Sequence, residues 1–185
     1  MFGVVRTSSI SLSKGIDGNE GNQKRKMNIS VRPISDTERT WVREFITQRW
    51  GTEIVVAHGQ VYRPHELPGF IAYQDTEKIG LATYHIENGA CEIVTIDSVR
   101  ENLGVGTALI EAIKRAAQQA ECRRIWLITT NDNLLALQFY QKRGFVLVTV
   151  HRNALEKSRK IKPQIPLIGN DGIPLRDEIE LEMVL

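Results

Sequence analysis

"RENLGVGTALIEAIKRAAQQA" (100–120) sets two glycines two positions apart at the head of an alanine-rich stretch. Val105, Ala108, Leu109, Ala112, Ile113, Ala116, Ala117 and Ala120 recur at intervals of three and four, which gives a helix with one apolar face to lay on a sheet. Gly104 and Gly106 stand directly after a strand-like run and open that helix, where backbone N–H groups lack intrahelical partners and the helix dipole favours an anion. Small residues there either make a tight turn or cradle a pyrophosphate. Two well-known phosphate loops do not fit. There is no Gly-x-x-x-x-Gly-Lys-Ser/Thr run, and the preceding strand does not open a parallel βαβ unit with an acidic residue about 20 positions on.

Outward from that helix, the order of elements is regular. "NISVRPI" (28–34) alternates as a strand, and Ser35 with Glu38 three residues later forms a capping box for a helix reaching about Arg49. "EIVVAHGQVY" (53–62), "GFIAYQ" (69–74), "KIGLATYHIE" (78–87) and "ACEIVTIDSV" (90–99) are β-branched and aromatic-rich, with turn signals such as Pro68-Gly69 and Asn88-Gly89 between them, and read as an antiparallel meander. After the glycine-headed helix come a buried strand, "RRIWLITT" (123–130), a helix, "NLLALQFYQKRG" (133–144), and the strand "FVLVTVHR" (145–152). "EIELEMVL" (178–185) alternates as a last strand. The predicted class is α/β: a mixed, mostly antiparallel central sheet with helices on both faces. Residues 1–27, polar and without apolar periodicity, are expected to be a disordered leader, a mis-assigned start or a tag, with one domain over 28–185.

Composition narrows the function. With 42% hydrophobic and 25% charged residues and no apolar run near the roughly 20 residues of a membrane span, no membrane association is expected. The net charge of +2 draws on basic residues of the leader, so the body carries no stripe for a nucleic-acid backbone and no nucleic-acid partner is expected. Cys91 and Cys122 are far apart in sequence, with no second pair and no histidine at metal spacing, which fits reduced thiols in a cytoplasm, no disulfide and no metal.

Two motifs in order carry a resemblance. "SVRENLGVGTALIEAI" after "ACEIVTID", followed by "ITTNDNLLALQFYQKRGF", resembles the GNAT-type N-acetyltransferases, whose acetyl-CoA loop has the form Gln/Arg-x-x-Gly-x-Gly/Ala and whose next motif reads Asn-x-x-Ala-x-x-Phe-Tyr-x-Lys-x-Gly-Phe. Asn133, Ala136, Phe139, Tyr140, Lys142, Gly144 and Phe145 match the second motif throughout. Glu101 departs from the first, standing where the family has Gln or Arg, so the neighbouring Arg100 is a candidate for the missing cation.

The resemblance implies acetyl-CoA as co-substrate, held by Asn102, Leu103, Gly104, Val105, Gly106, Thr107 and Ala108 of the loop, by Ile96, Asp97, Ser98 and Val99 of the preceding strand, and by Asn131, Asn133, Phe139, Tyr140 and Lys142 around the second motif. That strand is implied to splay from the strand 124–130, with the pantetheine arm between them. Tyr140 is implied to lie near the CoA sulfur as the acid that protonates the thiolate. For the base, Glu92 is favoured and His85 held in reserve; Glu92 and Asp97, five apart on one strand, are expected on opposite faces. A backbone N–H near Val94 is the candidate oxyanion donor. His58, His65 and His151 read as ordinary surface or loop residues, and Trp41, Trp50 and Trp126 as core or pocket wall. In the tail, 154–160 forms a short basic helix and Asn170-Asp171-Gly172 a turn, an insertion expected over the acceptor side.

The implied reaction is acetyl transfer from acetyl-CoA to a primary amine of a small molecule, through a ternary complex in a cytoplasmic homodimer. Two alternatives stay open: a CoA-binding sensor or structural module without turnover, and a protein acetyltransferase acting on a lysine or an N-terminal amine.

Overall fold

Period-two alternation along each strand, met by helices with one apolar face, produces a sheet covered on both sides. The computed structural model describes residues 28–100 and 103–185; expectations for the leader, Glu101 and Asn102 lie outside the described residues. β1 (Ile29–Pro33) leads into the Ser35/Glu38 capping box, a short 3-10 turn and α1 (Arg39–Trp50). Then come β2 (Val55–Ala57), β3 (Gln60–Tyr62), β4 (Gly69–Gln74), β5 (Glu77–Glu87), β6 (Ala90–Ser98), α2 (Val105–Gln119), β7 (Arg124–Thr130), α3 (Leu134–Gln141), β8 (Val146–His151), α4 (Ala154–Ile161) and β9 (Glu178–Val184). The main sheet has seven strands in the order β1-β4-β5-β6-β7-β9-β8. Its pairs are antiparallel except β6 with β7.

Each face of the sheet has its own core. Leu109, Ile113 and Ala117 of α2 pack with Ala72, Ile79, Ile96 and Ile125, all fully or nearly fully buried. On the other face Val42, Phe45, Ile46 and Trp50 of α1 pack with Ile71, Tyr73, Leu81 and Val94. Each such aliphatic side chain contributes roughly 1.5–3 kcal/mol by leaving water. Cys91 and Cys122 are free thiols in the α2-side core, and burial pushes the Cys91 thiol up to about 12. No helix among the described residues is long and apolar enough to cross a membrane.

Two departures from the sequence reading shape the functional region. The stretch 53–62 is not a strand of the meander. It folds back at His58 and Gly59, both with positive φ (40° and 79°), into the two-stranded β2–β3 sheet apart from the main one. Two consecutive positive φ angles match the twist of a tight hairpin, but His-Gly lacks the Asn-Gly or Asp-Gly signature by which such turns are read. The second departure is a β-bulge in β6. Thr95 opposes Thr83 and Ile93 opposes Tyr84, so the ladder skips Val94. A bulge resets the alternation of side chains. Cys91, Ile93 and Ile96 therefore face α2, whereas Glu92, Val94 and Asp97 share the α1 face. Glu92 and Asp97 thus lie on the same face, contrary to the expectation from their spacing.

Candidate active site

The strands β6 and β7 pair from Ala90↔Arg124 to Ile93↔Leu127 and then part. Beyond that point β6 pairs only with β5, and β7 continues against β9 through Thr130. The facing edges of 94–98 and 128–130 thus offer main-chain groups to an extended ligand. Val56, Glu92, Val94, Thr129 and Leu155 line the narrow opening, Leu155 arriving from α4. Among the described residues, the buried side-chain atoms without a hydrogen-bond partner include the hydroxyls of Thr129 and Tyr140. Tyr140 is completely buried, and desolvation holds its pKa well above the usual value for a phenol, so it remains a proton donor. A buried hydroxyl without a partner costs about 1–3 kcal/mol, and proteins retain few such groups.

At the start of α2 the two glycines of the 100–120 stretch do different work. Gly104 is the N-cap of α2 at φ +80°, a left-handed conformation that suits glycine, and with no side chain to cap the helix it leaves the first-turn N–H groups facing outward. Gly106 is a packing position. A Cβ there would sit 2.7 Å from Cζ of Phe139, so its absence allows α2 and α3 to approach. Gly104 thus makes the turn, and Gly106 serves the packing of two helices.

The cation beside this helix start is not Arg100. Its guanidinium is turned to Glu77 (2.5 Å) and Gln74 (2.9 Å) of the neighbouring hairpin. Arg143 takes the place instead, donating from Nε and Nη2 to Thr107 Oγ1 at 2.9 and 2.7 Å while lying 3.5 Å over the Phe139 ring. Among the described residues it has no carboxylate partner, its Nη1 donating to the Phe139 carbonyl. The sequence reading missed Arg143, although its signal was present as the residue between Lys142 and Gly144 of the second motif.

Several implied cofactor residues have their side chains engaged elsewhere. The side chains of Ile96, Leu103 and Val105 are given to the α2-side core. Asp97 points to the other face, where its carboxylate accepts from Arg49 (2.6 and 3.1 Å) and Trp50 Nε1 (3.2 Å). Ser98 Oγ donates to the Arg100 carbonyl, and the N–H of the exposed Val99 is bound to Ile79. Asn131 secures the tail, donating to Pro174 and accepting from the N–H groups of Arg176 and Asp177. Asn133 caps α3, its Oδ1 accepting from Ala136 N–H. Ala108 lies in the first turn of α2, partly buried, and Lys142 is exposed at the end of α3.

On the α1 face, Glu92 is the centre of a polar cluster. Its carboxylate is almost wholly buried and accepts from the Tyr62 hydroxyl at 2.8 Å and from His58 Nε2 at 3.0 Å. His58 is far from an ordinary loop residue. Its backbone N–H donates to Glu178 at 3.0 Å, and its ring lies 5.3 Å from that of Trp126. The hydrogen bond to Glu92 raises its pKa above the usual histidine value, and partial burial only partly offsets this. With Nε2 committed to Glu92, Nδ1 has no partner among the described residues. The side chain of His85, directly opposite Glu92 on β5, makes no hydrogen bond among the described residues. His151 is bonded to Glu180, and His65 is buried, with Nε2 against Arg43. The histidine that matters came from an unremarkable hairpin tip, and only folding carries it to Glu92.

Glu92 lies at a junction. It lines the opening between β6 and β7 and also a separate cavity of about 530 Å³ walled by Tyr62, His85, Trp126 and the β5–β6 turn.

Comparison with known proteins agrees with this arrangement. Residues 34–145 match the model of the acetyltransferase (GNAT) family. The chain is 42% identical over 156 residues to Uncharacterized protein YdhI of Bacillus subtilis (strain 168), covering 84% of this chain and 98% of that protein. Among solved structures it resembles the IAA acetyltransferase from Bacillus cereus ATCC 14579 (TM-score 0.66, 19% identity, 85% of this chain and 100% of that one). A GNAT family acetyltransferase from Elizabethkingia anophelis, solved with acetyl-CoA bound, gives a TM-score of 0.62 at 20% identity over 85% of this chain and 99% of that one. These two share the fold; the family model over more than half of the sequence and the identity to YdhI establish descent, and the chain belongs to the acetyltransferase (GNAT) family.

Proposed function

We propose that this GNAT acetyltransferase moves the acetyl group of acetyl-CoA to a primary amine of a small molecule by direct transfer in a ternary complex. The observation that carries the reading is Glu92 at the junction of a cleft open along two strand edges and a cavity large enough for a small acceptor. The ammonium of the acceptor gives one proton to His58 Nδ1, and Glu92 stabilises the imidazolium through Nε2. The free amine attacks the thioester carbonyl, and main-chain donors at the β6 bulge face the developing oxyanion. The C–S bond then breaks, and Tyr140 supplies the proton for the sulfur. The second proton leaving nitrogen makes up the one Tyr140 gives, so one amide, one thiol and one free proton result. The unpartnered Tyr140 hydroxyl supports this role, because a buried donor without an acceptor gains one when a sulfur arrives.

A cytoplasmic, dimeric enzyme goes with this reading. Free buried thiols suit a reducing compartment, and β8 is an edge strand whose Val146, Leu147, Val148 and Val150 are about half exposed, a surface that a second copy would cover. Light scattering showing only a 21 kDa species would exclude the dimer.

Calorimetric titration of acetyl-CoA into the wild type and into Gly104→Asp tests the cofactor side, and free-thiol release across a panel of amines tests transfer. Binding in the wild type that Gly104→Asp abolishes, with amine-dependent thiol release, is the expected result. Absence of binding in the wild type sinks the reading.

A further inference from the structure

The charges around the 530 Å³ cavity are not all spoken for. Deep in the cavity, Glu92 is bonded to His58 and Tyr62, and at its side Arg124 is paired with Glu180 and Glu182. At the β5–β6 turn two side chains remain. Glu87 precedes the Asn88-Gly89 turn, exposed and without a hydrogen bond or ion pair among the described residues, and it lines the cavity together with Tyr62. Arg123 is exposed on the other side of the turn, its guanidinium beside Gly89, also without an acceptor among the described residues. The two do not pair with each other, although both line the same cavity.

An unpaired carboxylate and an unpaired guanidinium on one rim, with a proton-accepting pair at the far end, describe a particular acceptor. We infer that the substrate carries an ammonium–carboxylate head, held by Glu87 and Arg123, and a second, terminal amine that reaches His58 and Glu92. A terminally aminated amino acid has this chemistry. A guanidinium binds a carboxylate in the two-point geometry that a planar fork allows, and an ammonium beside Glu87 satisfies the remaining charge. Aromatic and imidazole surfaces of Tyr62, Trp126 and His85 between the two ends suit the methylene chain that joins them. The inference rests on the transferase reading above and assigns its acceptor.

Thiol release from acetyl-CoA with four probes tests it: L-lysine, L-ornithine, 1,5-diaminopentane, which lacks the carboxylate, and 6-aminohexanoate, which lacks the second ammonium. At least one of the two amino acids should exceed both truncated probes in kcat/KM by tenfold or more. Arg123→Ala should remove its advantage over 1,5-diaminopentane, and Glu87→Ala its advantage over 6-aminohexanoate, while the variants' affinity for acetyl-CoA stays that of the wild type. Equal rates for all probes, or a preference that survives both substitutions, overturns the inference. Thiol release with other amines but with none of these four also overturns it, yet leaves the transferase standing. Failure to bind acetyl-CoA, seen by calorimetry, is the separate failure of the transferase reading.

Discussion

The two sides of Glu92 are built by opposite means. On the cofactor side, the cleft and the helix mouth use main-chain edges, glycines and the residues of two short contiguous motifs. On the cavity side, His58, Tyr62, His85, Glu92, Arg123 and Trp126 come from six elements or turns and present their side chains. A backbone site depends on local conformation and tolerates change in most side chains; a side-chain site depends on every strand and hairpin being in place.

The largest effects should come from breaking the junction where these sides meet. His58→Gln and Glu92→Gln should each reduce kcat by about 10²–10⁴-fold, with acetyl-CoA affinity unchanged, as measured by thiol release and calorimetry. Comparable losses in the single and double variants would show the pair acting as a unit. Tyr140→Phe should cost about 10²-fold or more in rate. Its thermal midpoint should hold or rise, because the deleted hydroxyl has no partner to lose. A falling midpoint together with normal turnover would assign Tyr140 to the core alone.

On the cofactor side the expected effects are smaller. Arg143→Ala should weaken acetyl-CoA binding roughly tenfold, in keeping with a charge-assisted contact of about 1.5–3 kcal/mol that is partly screened at the surface, whereas Arg100→Ala should leave it unchanged. The reverse result would return the cation to Arg100. Gly106→Val should destabilise the fold by about 1–3 kcal/mol through collision with Phe139, visible as a lower thermal midpoint.

The pH dependence sharpens the same contrast. In the proposed mechanism His58 acts as base only when neutral, and its pKa is raised, so kcat/KM should climb through a limb above the usual histidine value of 6.5, a limb that Glu92→Gln shifts downward. Stability runs the other way. A group whose pKa is higher in the folded state contributes most below its unfolded pKa, so the His58–Glu92 contribution is complete below 6.5 and fades as pH rises through the folded value. Acetyl-CoA affinity, resting on amides and arginine, should be flat across this range.

Much of the fold was legible in the chain. Periodicity placed the strands and α2, the Ser35/Glu38 box marked the start of the first helical segment, and the tail strand β9 read as alternating. Contiguous motifs likewise located the glycine loop and Tyr140. Some features were hidden because they arise between segments. The bulge at Val94 is a mismatch of register between β5 and β6, and one strand's alternation carries no trace of it. That single extra residue turned Asp97 to the face of Glu92, where Arg49 pairs with its charge and Trp50 Nε1 donates to it.

The sequence by itself determined a sheet with helices on both faces and the glycine turn that opens α2, because hydrophobic period, caps and glycine conformations are local properties of the chain. Only the tertiary structure decided which histidine serves Glu92, which arginine stands at the phosphate loop, and which charges on the cavity rim are left without a partner. Those are pairings between residues dozens of positions apart, as His58 and Glu92 are, and such proximity exists only once the hairpin has docked on the sheet.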